Sequence, residues 1–466
     1  MVTWWMAIPF GVMLIAIAVI PLIGWLAHWW ERPLHQLGAA LVLGLGVTAV
    51  MLTQGHGEDV LHALIEYGQF VILLFGLFTV AGGIALTGDL AGRPKINTIF
   101  LAVGTVLASF IGTTGAAMLL IRPLLLANSY RRHRAHLVVF GIFTMANCGG
   151  LLTPLGDPPL FLGFLRGVPF TWTLQLWPHW LVTNALLLIT FFCLDAALMS
   201  GEDRSRDVVQ PLGLVGKTQI LWFLAIVAAV AFVPSTNVEA FSAGQVGWVS
   251  LVPWREVVIM VAAGLSWITS RPQARFEINR FTFAPIQEVA ALFIGIFLTM
   301  VPVLLLLDEY AAQLPLSALI LYFMTGGLSA VLDNAPTYAS FFEAARASAS
   351  GMTGVELVAG VPVSYLVAVS TAAVFWGAMT YIGNGPNFML RSIALRQGVT
   401  MPSFVGYIVW SVRWLLPVLL ATMLLFIADP WWAKATGALV AVSILIRAVL
   451  IWRRWQGIPL PRINDR

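Results

Sequence analysis

Long apolar runs separated by short polar loops fill the chain. A membrane helix needs about 20 apolar residues, and on that measure spans are expected at 5–28, 34–53, 62–86, 136–165, 174–199, 218–234, 254–270, 285–307, 361–390, 404–427 and 432–452, eleven in all. Two more apolar segments, 97–127 and 315–345, are longer than a single span and carry small polar residues at their middle. Composition agrees: of 466 residues, 59% are hydrophobic and 10% charged, and the mean hydropathy is +0.89. This predicts an all-α polytopic membrane protein. The 19 Trp residues include pairs at 4–5, 29–30 and 431–432, near expected span ends, as in an interfacial belt.

Charge sets the expected topology. Arg93 and Lys95 precede the 97–127 segment, and Arg131, Arg132 and Arg134 follow it. If Lys and Arg collect in cytoplasmic loops, both ends lie inside, so the segment enters and returns as a re-entrant hairpin with its tip at "IGTTG". Arg204, Arg206, Lys217, Arg271, Arg275, Arg280, Arg391, Arg396, Arg453 and Arg454 then fall inside, and the acidic loops 56–59 and 307–310 fall outside. The N-terminus is expected outside and the C-terminus in the cytoplasm, with Arg255, Arg346 and Lys434 as exceptions. The pI near 9.3 reflects these short loops and does not point to nucleic acid. Cys148 and Cys193 form no metal or redox spacing. The first apolar segment runs into "WWERP" without a cleavage-like site, so it is expected to be retained.

The two halves echo each other. "LFGLFTV" (74–80) aligns with "FIGIFLTM" (293–300), matching Gly76 to Gly295. "SFIGTTGAA" (109–117) aligns with "SAVLDNAPT" (329–337), matching Ser109 to Ser329. "GLLTPLGDPPLF" (150–161) aligns with "GAMTYIGNGPNF" (377–388), matching Thr153 to Thr380 and Gly156 to Gly383. The offsets are 219, 220 and 227. The expected organisation is a first repeat over 1–200 (hairpin 97–127, broken helix 136–165) and a cytoplasmic linker over 201–217. A second repeat follows over 218–427 (hairpin 315–345, broken helix 361–390), then an extra span with a basic tail over 428–466. Five spans plus one hairpin per half invert the second copy, the plan of many secondary transporters. Their ion and substrate sites lie at interrupted helices, where freed carbonyls coordinate cations and half-helix N-termini suit anions.

The four breaks, and "SAVLDNAP" and "TPLGDPP" above all, resemble the ion transporter superfamily, most closely its NhaD-type sodium/proton antiporters and citrate-transporter-like branch. The resemblance covers about 5–427. It implies a dimerising scaffold domain, a mobile transport domain carrying both hairpins, elevator-type alternating access and a homodimer. The superfamily's sodium symporters place Ser-Asn-Thr at the hairpin tips. Here the tips read Thr113-Thr114-Gly115 and Asp333-Asn334-Ala335, an acid replacing a neutral hydroxyl.

A charge at the bilayer centre costs at least about 2.5–3.5 kcal/mol. Asp157 and Asp333 each fit a turn or a helix cap, but they sit in equivalent broken elements of opposite halves, which favours a function. Neighbouring carboxylates attract Na+ and, when desolvated, hold protons more readily than in water. Such a pair could exchange one for the other. Ser109, Ser329, Thr113, Thr114, Thr153, Thr380, Asn334 and Asn384 would complete the oxygen shell around Na+ at the Asp157/Asp333 region, and each also fits a helix-end hydrogen bond. Arg122, with Asn147 and Asn387, is the candidate site for an anionic substrate or a counter-ion, and Arg166 and Arg391 are further basic partners. Glu66 and Glu288 are alternatives as proton relays, and "YRRHRAH" fits a solvated loop. No cofactor is expected beyond Na+ as transported or coupling ion. The expected partners are an inorganic cation or a small carboxylate and the lipid bilayer. Sodium/proton exchange is the first expectation, Na+- or H+-coupled transport of a citrate-like carboxylate the second. An intramembrane enzyme is a third, disfavoured because an enzyme does not need an inverted repeat. The resemblance implies a bacterial inner membrane.

Overall fold

A computed structural model describes residues 2–30, 32–88, 92–199, 213–236, 247–310, 313–349, 352 and 354–455. Arg204, Arg206, most of the 201–217 linker and the tail beyond 455 lie outside the described residues. The chain is helical. In order, α1 is Ile8–Val19, α2 Gly24–Trp30, α3 Pro33–Thr53, α4 Gly57–Gly82, α5 Pro94–Ile111, α6 Thr113–Ala127, α7 Ala135–Phe143, α8 Pro158–Leu165, α9 Trp177–Met199 and α10 Gln219–Phe232. Then come α11 Trp254–Thr269, α12 Ala284–Tyr310, α13 Ala318–Ser329, α14 Asn334–Ser348, α15 Val363–Trp376, α16 Gly385–Arg396, α17 Phe404–Trp414, α18 Leu416–Phe426 and α19 Trp431–Trp455.

Among the described residues, seven helices are long and apolar enough to cross a membrane, or nine if each bent pair counts as one span. The chain is an integral membrane protein. The expected span at 5–28 is bent by 96° between α1 and α2. The cause is Pro21, which lacks the N–H and the room a continuous helix requires. The 218–234 and 254–270 segments hold 14- and 16-residue helices. Helix α5 is by itself apolar and long enough to span, at 18 residues. It meets α6 at Gly112 and packs on it.

The helices gather into two compact units. The first comprises Met1–Ala85, Pro158–Trp172 and Val215–Ala373. Its centre is the packing of α12 on α3 and α4. Phe70 of α4 stacks on Phe293 of α12 with ring centroids 4.9 Å apart. The two glycines matched by the repeat both lie at helix crossings. A Cβ on Gly295 would sit 2.7 Å from Ala40 of α3, and one on Gly76 would sit 2.5 Å from Ile259 of α11. α14 packs between α12 and α8. Its N-terminus is capped by Asp333, whose Oδ1 accepts from the Ala335 N–H at 3.0 Å.

The second unit comprises Leu86–Asp157, Thr173–Leu214 and Val374–Arg466. Here α9 packs against α5, α7, α18 and α19. A polar cluster fastens one end. Asp195 of α9 is fully buried and meets Arg131 at 2.6 Å and His136 at 2.7 Å, while Asn97 donates to it at 2.8 Å. This corrects the reading of "YRRHRAH" as a solvated loop for Arg131 and His136, while Arg132 and His133 are exposed. Arg131 and His136 turn inward because Asp195 offers a buried countercharge, and only such pairing makes a buried cation tolerable.

Candidate functional site

The segment after α7 cannot continue as a helix. Gly149, Gly150 and Gly156 weaken it, and Pro154, Pro158 and Pro159 remove backbone donors. The result is a short 3-10 turn, Cys148–Leu152, then an extended Thr153 and a loop that ends at Asp157. α15 stops in the same manner. Gly377–Met379 is a 3-10 turn, Thr380 is extended, and α16 restarts at Gly385. The local chemistry repeats too. The Thr153 hydroxyl accepts from Leu155 N–H at 3.2 Å, and the Thr380 hydroxyl accepts from Ile382 N–H at 3.2 Å.

Asp157 lies at the bottom of this break, 1% exposed. Two donors reach its Oδ1, each at 3.1 Å: the Thr113 hydroxyl and the Asn384 amide. Thr113 opens α6, directly after Gly112, whose φ of +80° is a conformation that side chains with a Cβ resist. The Thr113 N–H also donates to the Gly156 carbonyl at 2.9 Å, so the tip is tied to the loop by backbone as well as by side chain. The loop folds on itself so closely that a Cβ on Gly156 would lie 2.1 Å from the Gly150 carbonyl oxygen.

Around Asp157 runs a chain of amides. Asn384 Nδ2 also reaches Asn147 Oδ1 at 3.1 Å, and Asn147 Nδ2 donates to Asn387 Oδ1 at 2.7 Å. Asn387 in turn donates to the carbonyls of Gly377 and Thr380, at 2.8 and 2.9 Å. Asn147, Asn384 and Asn387 are all buried. Ser109 donates to the Gly149 carbonyl, and Thr153 donates to the Ser109 carbonyl. Thus Ser109, Thr113, Asn147, Thr153, Thr380, Asn384, Asn387 and Asp157 come together within the second unit. Thr114 and Arg122 lie half-buried on α6 of that unit.

The other candidates belong to the first unit. Asp333 is half-buried at the α14 N-cap, Asn334 is fully buried beside it, and Ser329 donates to the Ala373 carbonyl at 2.7 Å. The expectation that Asp157 and Asp333 are equivalent needs correction. The aligned blocks pair Asp157 with Asn384 and Asp333 with Thr113. Arg166, considered for anion binding, is held by Glu66 at 3.2 Å and Glu343 at 3.6 Å, and Arg346 meets Glu343 at 2.8 Å. Glu288 accepts from Gln36 at 3.2 Å. Sequence reasoning missed Trp180, which donates to the Gly149 carbonyl at 3.0 Å, and Tyr407, which donates to the Ala378 carbonyl at 2.8 Å. Both satisfy carbonyls freed by the 3-10 turns, a service that any nearby donor can perform and no motif announces.

Chemically, a buried carboxylate met by a hydroxyl and an amide N–H offers a hard oxygen ligand to a small cation, or a seat for a proton. No curated protein matches the chain. The sequence profile of a family described as "Putative citrate transport" matches residues 1–427, and the chain belongs to that family, within the citrate-transporter-like branch of the ion transporter superfamily.

Proposed function

We propose that the protein is a secondary active transporter in which Na+ and H+ compete for Asp157, so that sodium and protons exchange across the membrane. The observation that carries this reading is the buried Asp157 carboxylate at a helix break, met by Thr113 and Asn384. Occupancy by either ion neutralises the charge, and a neutral site crosses the bilayer at lower cost than a bare carboxylate. Re-entrant hairpins around Gly112 and Asp333, elevator-type motion, homodimerisation and an inner-membrane location with the C-terminus in the cytoplasm complete the proposal. They are supported by the family resemblance and the charge pattern of the loops. Thr114, Asn334 and Asp333 are assigned to the ion path, and Arg122 to an anion or counter-ion.

A second reading is cation-coupled movement of a citrate-like carboxylate. The family description and the neutral amide chain Asn384–Asn147–Asn387 favour it, since amides can donate to a carboxylate without a fixed countercharge. In that case Asp157 holds the coupling ion. The test is reconstitution in liposomes with a trapped pH dye and an imposed pH gradient, followed by NaCl, KCl or sodium citrate. Collapse by NaCl alone, lost in Asp157→Asn, supports exchange. A response only to citrate refutes it in favour of the second reading, and no response to any of the three salts refutes both.

A further inference from the structure

Away from Asp157, the second unit contains a pocket of about 1050 Å3 lined by cations and hydrocarbon. Arg132 and Arg134 come from the turn between α6 and α7, Arg413 from the end of α17, and Arg447 and Arg454 from the last third of α19. Among the described residues, no Asp or Glu lines it. Asp195, on α9 behind the pocket wall residues Leu194 and Ala197, is already matched by Arg131 and His136.

The arginines are held in position. Arg134 donates to the Gly398 carbonyl at 3.0 Å, and Arg447 to the Arg413 carbonyl at 3.2 Å. The guanidiniums of Arg447 and Arg413 lie 4.5 and 5.2 Å from the centre of the same Trp414 ring. Two cations drawn to one indole repel each other, and an anion lodged with them removes that repulsion.

The walls decide what kind of anion. Val409, Ile446 and Leu450 are 59%, 55% and 59% exposed, and all three line the pocket. α19 has 25 residues, long enough at about 1.5 Å per residue to cross a hydrocarbon core of about 30 Å. Its terminal Arg453 and Arg454 therefore mark the head-group level, and Arg447 lies about 10 Å deeper along the helix. A soluble anion gains nothing from exposed hydrocarbon at that depth. A lipid with a charged head and acyl chains satisfies both surfaces, and basic pockets between spanning helices suit such head groups. We propose that this pocket binds the phosphate of an anionic phospholipid, with the acyl chains lying along Val409, Ile446 and Leu450. This site is independent of the transport reading.

The test uses the full chain in zwitterionic micelles, titrated with brominated phosphatidylglycerol or brominated phosphatidylcholine and followed by tryptophan quenching, since Trp410 and Trp414 line the pocket. Phosphatidylglycerol should bind at least about tenfold more tightly, and Arg447→Gln with Arg454→Gln should weaken it about 25-fold, about fivefold per arginine. Arg454→Gln alone, at the exposed end of α19, should cost about fivefold and carries the test should the double variant not fold. Equal binding of the two lipids overturns the proposal, as does unchanged affinity in Arg454→Gln. Displacement of the brominated anionic lipid by millimolar inorganic phosphate or citrate would also overturn it, in favour of a soluble-anion site.

Discussion

The contact between Asp157 and Asn384 invites a charge swap. These two residues are equivalents in the aligned repeats and touch at 3.1 Å inside one unit. Asp157→Asn keeps the shape and both neighbours but removes the charge, so ion-coupled flux should fall to background. Asn384→Asp adds a second carboxylate with charge centres about 4 Å from the first. At an effective dielectric of about 20 that repulsion is ~4 kcal/mol, and one cation or proton relieves it. This variant should therefore hold its ion more tightly and turn over more slowly. Combining Asp157→Asn with Asn384→Asp restores one acid and one amide across the same contact. The remaining defects are at Thr113, whose hydroxyl would then meet an amide oxygen, and at the Ala146 carbonyl and Asn147 Oδ1, which lose the Asn384 donor. At about 1 kcal/mol each, these defects should leave flux below that of the native protein but clearly above that of Asp157→Asn. The assay is sodium-driven dissipation of a pH gradient in proteoliposomes, with thermal unfolding as a folding control. If the swap is as inactive as Asp157→Asn although it melts like the native chain, the reasoning from paired equivalents is wrong. If Asp157→Asn alone keeps full coupling, Asp157 is not the coupling site.

Other outcomes follow from single contacts. Asp333→Asn keeps a good helix cap and should leave the melting temperature nearly unchanged while reducing flux, whereas Asp333→Ala should also lose about 1 kcal/mol of stability; equal flux in native and Asp333→Asn proteins removes Asp333 from the ion path. Gly156→Ala would force a Cβ to within 2.1 Å of the Gly150 oxygen. It should cost ~3 kcal/mol, as severe overpacking does, and should halt transport by parting Thr113 from Asp157, measured as a lower unfolding midpoint with loss of flux. Asp195→Leu would strand Arg131 and His136 in the interior and should destabilise the protein by about 3–5 kcal/mol, while Asp195→Asn, which keeps hydrogen-bonding atoms, should lose less in the same melt.

The helix breaks were legible because proline and glycine act locally. "TPLGDPP" and "TYIGNGP" forbid a continuous helix whatever surrounds them, and in both places the helical turns do end there. The threonine opening each block closes its own turn, its hydroxyl accepting from an N–H two residues on. Hydropathy averages locate an apolar run but do not register a bend within it. Pro21 bends the first apolar run, yet a window of twenty residues barely registers it. Long-range partners were illegible. Asp195 lies 59 residues from His136 in sequence, and neither position carries a local pattern that names the other. The amide chain is a similar case: Asn147 and Asn387 are 240 residues apart, so sequence could nominate both without assigning them to each other.

The two halves distribute charge in a complementary way. In the first, the residue between α5 and α6 is a neutral donor, Thr113, and the break before α8 supplies the acid, Asp157; the hydroxyl donates to the carboxylate at 3.1 Å. In the second, the aligned residues exchange roles, with the acid Asp333 before α14 and the amide Asn384 before α16. Each aligned pair therefore holds one acid and one neutral residue, and the neutral residues of both pairs, Thr113 and Asn384, donate to Asp157. A buried carboxylate facing a second one needs a cation or a proton permanently in place, whereas a carboxylate facing a hydroxyl or an amide can lose its ion at a smaller cost. Release is as necessary to a transporter as binding. On this argument a variant with acids at both positions of one half, Thr113→Asp, should bind sodium more tightly than the native protein and carry less of it. A Thr113→Asp protein with raised affinity and undiminished flux would show that release is not limited by this pair.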